Sequence, residues 1–323
     1  MTLPVGHSVI APDALLDEVA RSYALPRPTE CALFRSWAND VYLVTTAEAS
    51  YYLKVYGFGW RTRDAVAYEI DLLAHLDARG VAVALPILRH DEEAIGSLDA
   101  PEGERCAVLF AAAPGEKPQP PFSTALYHQF GRATAQLHAA ADDFSSLHAR
   151  DRADLALFID RPLSIILPSL RQRPGDQAYL RDLGTRVRDR LNTLIAARLD
   201  WGVCHGDLSL DNVHVTDDGR LIFYDFDSGG PGWRAADPYG VYQYAVMEQN
   251  GLWDAFLAGY TEIRQFGSAD LAALPYFVVA QHLWDIGHTL GFSAGRFGFW
   301  RANDAYFDRK LAFLRQWEAE FIK

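Results

Sequence analysis

The feature that most restricts this chain is an island of β-type sequence inside an otherwise helical stretch. Residues 201–227, WGVCHGDLSLDNVHVTDDGRLIFYDFD, contain two short apolar runs, VHV and LIFY. They flank TDDGR, an Asp-Gly turn signal for a hairpin. The pattern on both sides is helical. Residues 123–144 carry the 3.6 period, and further helical runs follow at about 176–199, 236–248, 251–266, 270–291 and 301–321. A plain helix bundle has no place for such an island, and irregular loops beside short strands are where chemistry concentrates.

The first third reads differently. Residues 39–46 and 50–56 are β-rich runs joined by a short polar stretch, a second hairpin signal. Residues 61–80 form an amphipathic helix that stops at Gly80. Residues 81–88 and 106–112 again look like strands. The densest cluster of breakers, APGEKPQPP at 113–121, sets a domain boundary there, which gives domains 1–112 and 113–323. A length of 323 residues suits two domains or one large one.

Composition narrows the function. The chain is half hydrophobic and carries a formal net charge of −12, with no Lys/Arg-rich run, so nucleic acid is not its expected partner. The N-terminus lacks the basic and apolar regions of a signal peptide, and no apolar run approaches the ~20 residues of a membrane span. Three dispersed cysteines, Cys31, Cys106 and Cys204, make no CxxC pair; they fit a reducing, cytoplasmic setting and argue against a thiolate zinc site. Only four lysines occur, at 54, 117, 310 and 323, so the one inside the strand pattern YYLKVY is conspicuous.

The island holds His205-Gly206-Asp207, then Asp211-Asn212, then Asp225-Phe226-Asp227 after the hairpin. Phosphoryl transfer needs a carboxylate near the acceptor hydroxyl and hard oxygen ligands for magnesium. Asp207 suits the first task. Asn212 and Asp225 suit the second, because the hairpin returns residue 225 beside 212. A kinase also needs a cation on the nucleotide phosphates. Lys54 sits mid-strand among Tyr52, Leu53, Val55 and Tyr56, and the next helix supplies Glu69, a fitting partner.

In this order (strand lysine, helix glutamate, Pro/Gly linker, HGDxxxxN, DFD) the chain resembles the aminoglycoside phosphotransferase and choline kinase branch of the protein-kinase-like fold. GPGWRAADP (230–238) resembles the segment after the metal-binding Asp in its homoserine-kinase-like and stress-response-kinase-like members. The likeness runs from about residue 30 to 250. It implies a bilobal α+β fold, with a small antiparallel N-lobe sheet plus helix, a larger helical C-lobe and ATP in the cleft. It implies Asp207 as catalytic base, Asn212 and Asp225 as Mg2+ ligands, and Lys54 with Glu69 as the ATP ion pair. The segment 108–113, with Phe110 and Ala112, becomes the hinge that meets adenine, and His205 braces the loop. The expected activity is transfer of the ATP γ-phosphoryl group to a hydroxyl of a small molecule, an amino sugar, aminoglycoside-like antibiotic or amino alcohol.

Two departures stand out. No GxGxxG precedes Lys54; in RSWANDVY, Ser36 and Asn39 are the groups left to face phosphate. Asp237-Pro238 replaces the usual continuation, and the expectation is Asp237 as helix N-cap. Asp227 either assists the metal or caps a turn. Asp211, Glu248, Asp285 and Trp284 are acceptor-site candidates, against a plain reading as turn, surface or core residues. Trp253, Phe292, Phe297, Phe299, Trp300 and Trp317 read mostly as core. His205, Asp207, Asp211 and His214 do not form a hydrolase metal site, since no HExxH or i, i+4 His pair occurs. Gly291-Phe292-Ser293-Ala294-Gly295 matches GxSxG but follows a helical run with no histidine after His288, so it reads as a helix end. A protein Ser/Thr kinase is disfavoured because no activation segment follows DFD. A pseudokinase scaffold is disfavoured because Lys54, Asp207, Asn212 and Asp225 are all present.

Overall fold

The computed structural model describes residues 3–248, 250–293 and 302–322. In chain order the elements are α1 (Pro12–Ser22), β1 (Glu30–Ser36), β2 (Asp40–Thr45), β3 (Ser50–Val55), α2 (Arg63–Ala78), β4 (Gly96–Ala100) and β5 (Gly103–Ala111). Then come α3 (Thr124–Ala140), α4 (Arg161–Ser169), α5 (Pro174–Ala196), β6 (Trp201–Cys204), β7 (Val213–Val215), β8 (Leu221–Phe223) and β9 (Gly230–Trp233). The last are α6 (Tyr239–Glu248), α7 (Leu252–Thr261), α8 (Ser268–His288) and α9 (Asp304–Phe321). Contacts divide the chain into two compact units. The first holds Met1–Lys117, Phe144–Arg150 and Val213–Asp227; the second holds Pro118–Asp143, Asp151–Asn212 and Ser228–Lys323.

The first unit is built on a five-stranded antiparallel sheet of order β1-β2-β3-β5-β4. Side chains alternate across a strand, so both faces of the central strands need cover. Leu15 and Val19 of α1 pack with Tyr42, Val44, Leu53, Val55 and Leu109 on one face. Val66 of α2 packs with Tyr56, Cys106 and Val108 on the other. Helix α2 starts where Thr62 Oγ1 accepts the Ala65 N–H at 3.1 Å and stops before Gly80, whose φ of +78° favours glycine. β7 and β8 form the expected hairpin, with Gly219 at φ +81° in its turn. Residues 81–88 are not the expected strand. They run extended between β8 and β5 with isolated bridges at Val83–Phe223 and Pro86–Phe110. Pro86 has no N–H to continue a ladder. β1, β4 and α1 had no clear sequence signal; β4 reads GSLDA, with no apolar alternation.

The second unit is mainly helical. Leu180, Leu183, Val187 and Leu191 recur at helical spacing along α5 and share a core with Phe277 and Leu283 of α8 and Leu311 and Leu314 of α9. Trp317 is buried there, and Trp253 packs between Tyr242 and Phe256. α3 and α7 meet backbone to backbone. A Cβ on Gly131 would lie 1.9 Å from Phe256 O, and one on Gly259 would lie 1.9 Å from His128 O. Helix α4 went unpredicted; it carries Pro162 and Pro168 and follows a π turn at Ala156–Asp160. Gly291 to Ser293 end a π turn after α8, so the GxSxG match is no strand-to-helix elbow there; Ala294 and Gly295 lie outside the described residues, as do Phe297, Phe299 and Trp300. Among the described residues no helix is long and apolar enough to cross a membrane.

Candidate functional site

In the first unit the central strand β3 points Lys54 to the face that α2 covers, the face it shares with Tyr52 and Tyr56. Only 5% of Lys54 is exposed. Its ammonium lies 2.8 Å from Asp225 Oδ1, 3.3 Å from Glu69 Oε1 and 3.9 Å from Asp227 Oδ2. Burial alone would lower the Lys54 pKa, but the three carboxylates outweigh it and hold the group firmly charged. Glu69 is buried too. Burial raises its pKa, while Lys54 pulls the other way and Tyr56 donates to Oε2 at 2.8 Å.

Asp225 follows β8 with φ +67°, a left-handed conformation that a non-glycine residue adopts at a cost of about 1 kcal/mol or more. Its second oxygen accepts from Arg35 Nη2 at 2.9 Å. Asp227 is held differently. Asn39 Nδ2 donates to it at 2.6 Å and Trp60 Nε1 at 3.1 Å, while Arg61 Nε (2.8 Å) and Arg150 donate to its carbonyl. Burial opposes the Asp227 charge, yet Lys54 and Arg61 depress its pKa strongly. It therefore ties the β1–β2 turn to the 3-10 turn that follows β8.

In the second unit β6 and β9 pair antiparallel, and β6 leads into the loop 205–209 and a 3-10 turn at Leu210–Asn212. Asp207 is exposed; Asn212 is buried and donates through Nδ2 to Asp207 Oδ2 at 2.8 Å and to Asp207 O at 2.9 Å. The amide nitrogen thus faces Asp207. The Asn212 side-chain oxygen in this unit, and the Asp225 carboxylate in the first, are each hard oxygen donors, the type that suits magnesium.

Asp237 is not the expected helix cap, since α6 begins at Tyr239. Its buried carboxylate instead accepts the backbone N–H groups of His205 and Gly206, each at 2.8 Å, and meets His138 Nε2 at 3.0 Å. Buried N–H groups need partners, and a charged acceptor is the strongest available. Burial works to raise the Asp237 pKa, but the bonds from His138 and His205 hold it below the usual carboxylate range. His138 Nδ1 meets Tyr260 OH at 2.9 Å, and burial lowers the His138 pKa. Gly206 has φ +81°, and a Cβ there would lie 2.1 Å from Ser228 O. Beneath the loop, Arg234 donates to Asp200 at 3.0 Å and Asp142 at 2.7 Å, and Arg264 donates to the same two carboxylates at 2.8 and 2.7 Å. Sequence reasoning missed Asp237 and His138 as loop anchors. Cys204, His138 and Asp237 bring ligand atoms within 4.8 Å of one another, although the sequence suggested no thiolate site. The imidazole and carboxylate there already bond each other, Tyr260 and two backbone amides.

The other candidates are placed as follows. Ser36 donates to Asp40 Oδ1 at 2.6 Å, and Asn39 Oδ1 accepts the Gly57 N–H at 3.2 Å, so the Asn39 side chain is engaged at both ends. Phe110 lies on β5 opposite Tyr52, and the Ala112 N–H bonds Ser50 O at 3.2 Å. His205 is fully buried, and His214 bonds Ala113 O at 2.8 Å. Asp211 is exposed in the 3-10 turn, and Glu248 is exposed at the end of α6. Asp285 pairs with Lys310 at 2.6 Å, and Trp284 stacks on His288 at 5.1 Å. Burial, then the charges of Asp207 and Asp285, raise the Tyr239 pKa.

Residues 30–274 match the model of the phosphotransferase enzyme family. An uncharacterized protein of Deinococcus radiodurans is 39% identical, over 98% of this chain and 93% of its own. A protein of Methylobacterium radiotolerans named homoserine kinase is 28% identical over 94% of both chains. Amicoumacin kinase hAmiN, solved with AMP-PNP, Ca2+ and Ami, superposes with a TM-score of 0.72 at 22% identity, covering 96% of this chain and 92% of its own. The fold is thus the protein-kinase-like one.

Proposed function

Because the chain belongs to the phosphotransferase enzyme family, we propose that it is a small-molecule kinase that moves the γ-phosphoryl group of ATP to a hydroxyl of an amino-bearing acceptor. The observation that carries this is Lys54. A lysine buried on a central strand and shared by Glu69, Asp225 and Asp227 is an expensive arrangement with no packing purpose, and a phosphate-binding cation explains it. Lys54 then neutralises the nucleotide phosphates, and Glu69 keeps it aimed. Asp207 accepts the acceptor's proton, held in place by the Asn212 amide and by the Asp237 clamp on its loop. Asn212 and Asp225 are the metal ligands in this reading; magnesium, when bound, offsets the charge of the β- and γ-phosphates. An amino alcohol acceptor is supported by likeness to a protein named homoserine kinase.

The test is ADP release measured without acceptor and then with a panel of hydroxylated amino acids, amino alcohols, amino sugars and aminoglycosides. Stimulation by one class, with the phosphorylated product seen by mass spectrometry, is the expected result. MgATP at 100 times its dissociation constant should also stabilise the protein by about 2.7 kcal/mol. A melting temperature that saturating MgATP leaves unmoved would overturn the reading.

A further inference from the structure

The ion pair between Arg35 and Asp225 is unexplained by the role assigned to Asp225. Arg35 belongs to β1, where the pairing with β2 slips: Leu33 opposes Tyr42 and Arg35 opposes Val41, leaving Phe34 as an extra residue. Such a bulge re-aims the side chains beside it. Here it leaves four consecutive residues exposed, including Arg35, and turns the guanidinium to Asp225 Oδ2 at 2.9 Å. The partner is irregular as well, since Asp225 reaches the pair from a left-handed backbone. Two local distortions, 190 residues apart in sequence, converge on one contact. That contact is also the most solvent-exposed of those at Asp225: the Arg35 side chain is 56% exposed, whereas the Lys54 side chain is 7% exposed. An exposed ion pair contributes little stability, so folding alone does not account for the two distortions.

We propose that Arg35 is a nucleotide-binding residue that exchanges partners. It holds Asp225 in the ligand-free chain and passes to the nucleotide's phosphate oxygens when Asp225 is taken by a divalent cation. The inference rests on the kinase reading above. Arg35 lies at the end of β1, next to the turn where a glycine-rich loop would offer backbone N–H groups to phosphate, and RSWAND has no such glycines. A planar guanidinium matches phosphate geometry and supplies the missing donors. Its long side chain is free to swing because most of it stands in solvent. While on Asp225, it competes with any metal for that carboxylate.

Competition predicts effects of opposite sign, which a purely structural role would not produce. Arg35→Gln keeps length and polarity and removes the charge. MgADP affinity, by calorimetry, should fall about tenfold, the size of one charge-assisted bond. Affinity for Mn2+ alone, by electron paramagnetic resonance without nucleotide, should rise severalfold. Arg35→Lys should recover part of the MgADP affinity. If wild-type protein binds MgADP and the Gln variant binds it equally well, or if Mn2+ affinity stays the same or falls, the partner exchange is refuted while the kinase reading stands. If wild-type protein binds neither MgADP nor MgATP, the kinase reading fails and this inference with it.

Discussion

Asp237→Asn separates the anchoring of the 205–209 loop from the chemistry proposed for Asp207. The carboxylate receives the His205 and Gly206 N–H groups at 2.8 Å and meets His138 at 3.0 Å, with no exposed surface. Asparagine fits the same space. Its better orientation keeps an oxygen toward His205 and His138 and turns its NH2 toward the Gly206 N–H, donor against donor. The change removes one bond to a charged acceptor, leaves a buried donor unsatisfied and weakens the two bonds that remain. Losses of this kind cost about 1–3 kcal/mol each, so the sum is about 3 kcal/mol. For a chain of this length melting in one transition that lowers Tm by about 4 °C. Asp207 is the next residue after Gly206, and a displacement near 1 Å costs about 100-fold in rate. Turnover should therefore fall 10- to 100-fold while MgADP affinity changes less than twofold, because Lys54 and Glu69 belong to the first unit. Differential scanning fluorimetry, calorimetry with MgADP and steady-state kinetics read the three quantities. An unchanged Tm, or lost MgADP affinity with turnover intact, would refute the reasoning.

Two further outcomes follow from the same geometry. Asp207→Asn keeps an oxygen for the Asn212 amide and is exposed, so Tm should move by less than about 1 °C; turnover should drop by roughly 10²–10⁴, the usual loss on removing a general base, with MgADP binding retained. His282 packs against the Phe313 ring and bonds Gln243, and burial, then the Lys310 charge, lower its pKa to about 4. Below about 6.5 the unfolded chain binds a proton that the native chain refuses, so stability is lost as pH falls, by about 2 kcal/mol between pH 7 and 5. His138 acts in the same direction. Urea titrations of wild type and His282→Gln at both pH values check this; equal acid losses in the two proteins would remove His282 as a cause.

What the sequence made legible was whatever is local or chemically costly. The hairpins showed because a turn residue and two apolar runs lie within a dozen positions, and α2 showed because its period ends at a glycine. Lys54 and Glu69 showed because a lysine between strand apolars needs a partner, and the next helix holds a carboxylate. Asp237 was misread because a cap and a distant clamp have the same local signature, an Asp before a Pro; only the fold decides which N–H groups it meets. His138 gave no signal, since a histidine on an apolar helix face looks like core until Asp237 and Tyr260 are seen beside it. Residues 81–88 misled because apolar content suggests pairing, while Pro86 limits the segment to single bridges. The Arg35 contact depends on a one-residue bulge, which leaves no trace in composition.

The glycine contact between α3 and α7 bears on how such a chain can drift. Positions 131 and 259 admit no carbon beyond the backbone, because each faces a carbonyl 1.9 Å from where a Cβ would stand. Those two codons are closed to every other residue unless the helices part, and parting them separates His138 on α3 from Tyr260 on α7. The outward faces of both helices carry no such restriction. A lineage can therefore rewrite the surface of this helix pair, and with it whatever that surface meets, while the seat of Asp207 is inherited unchanged.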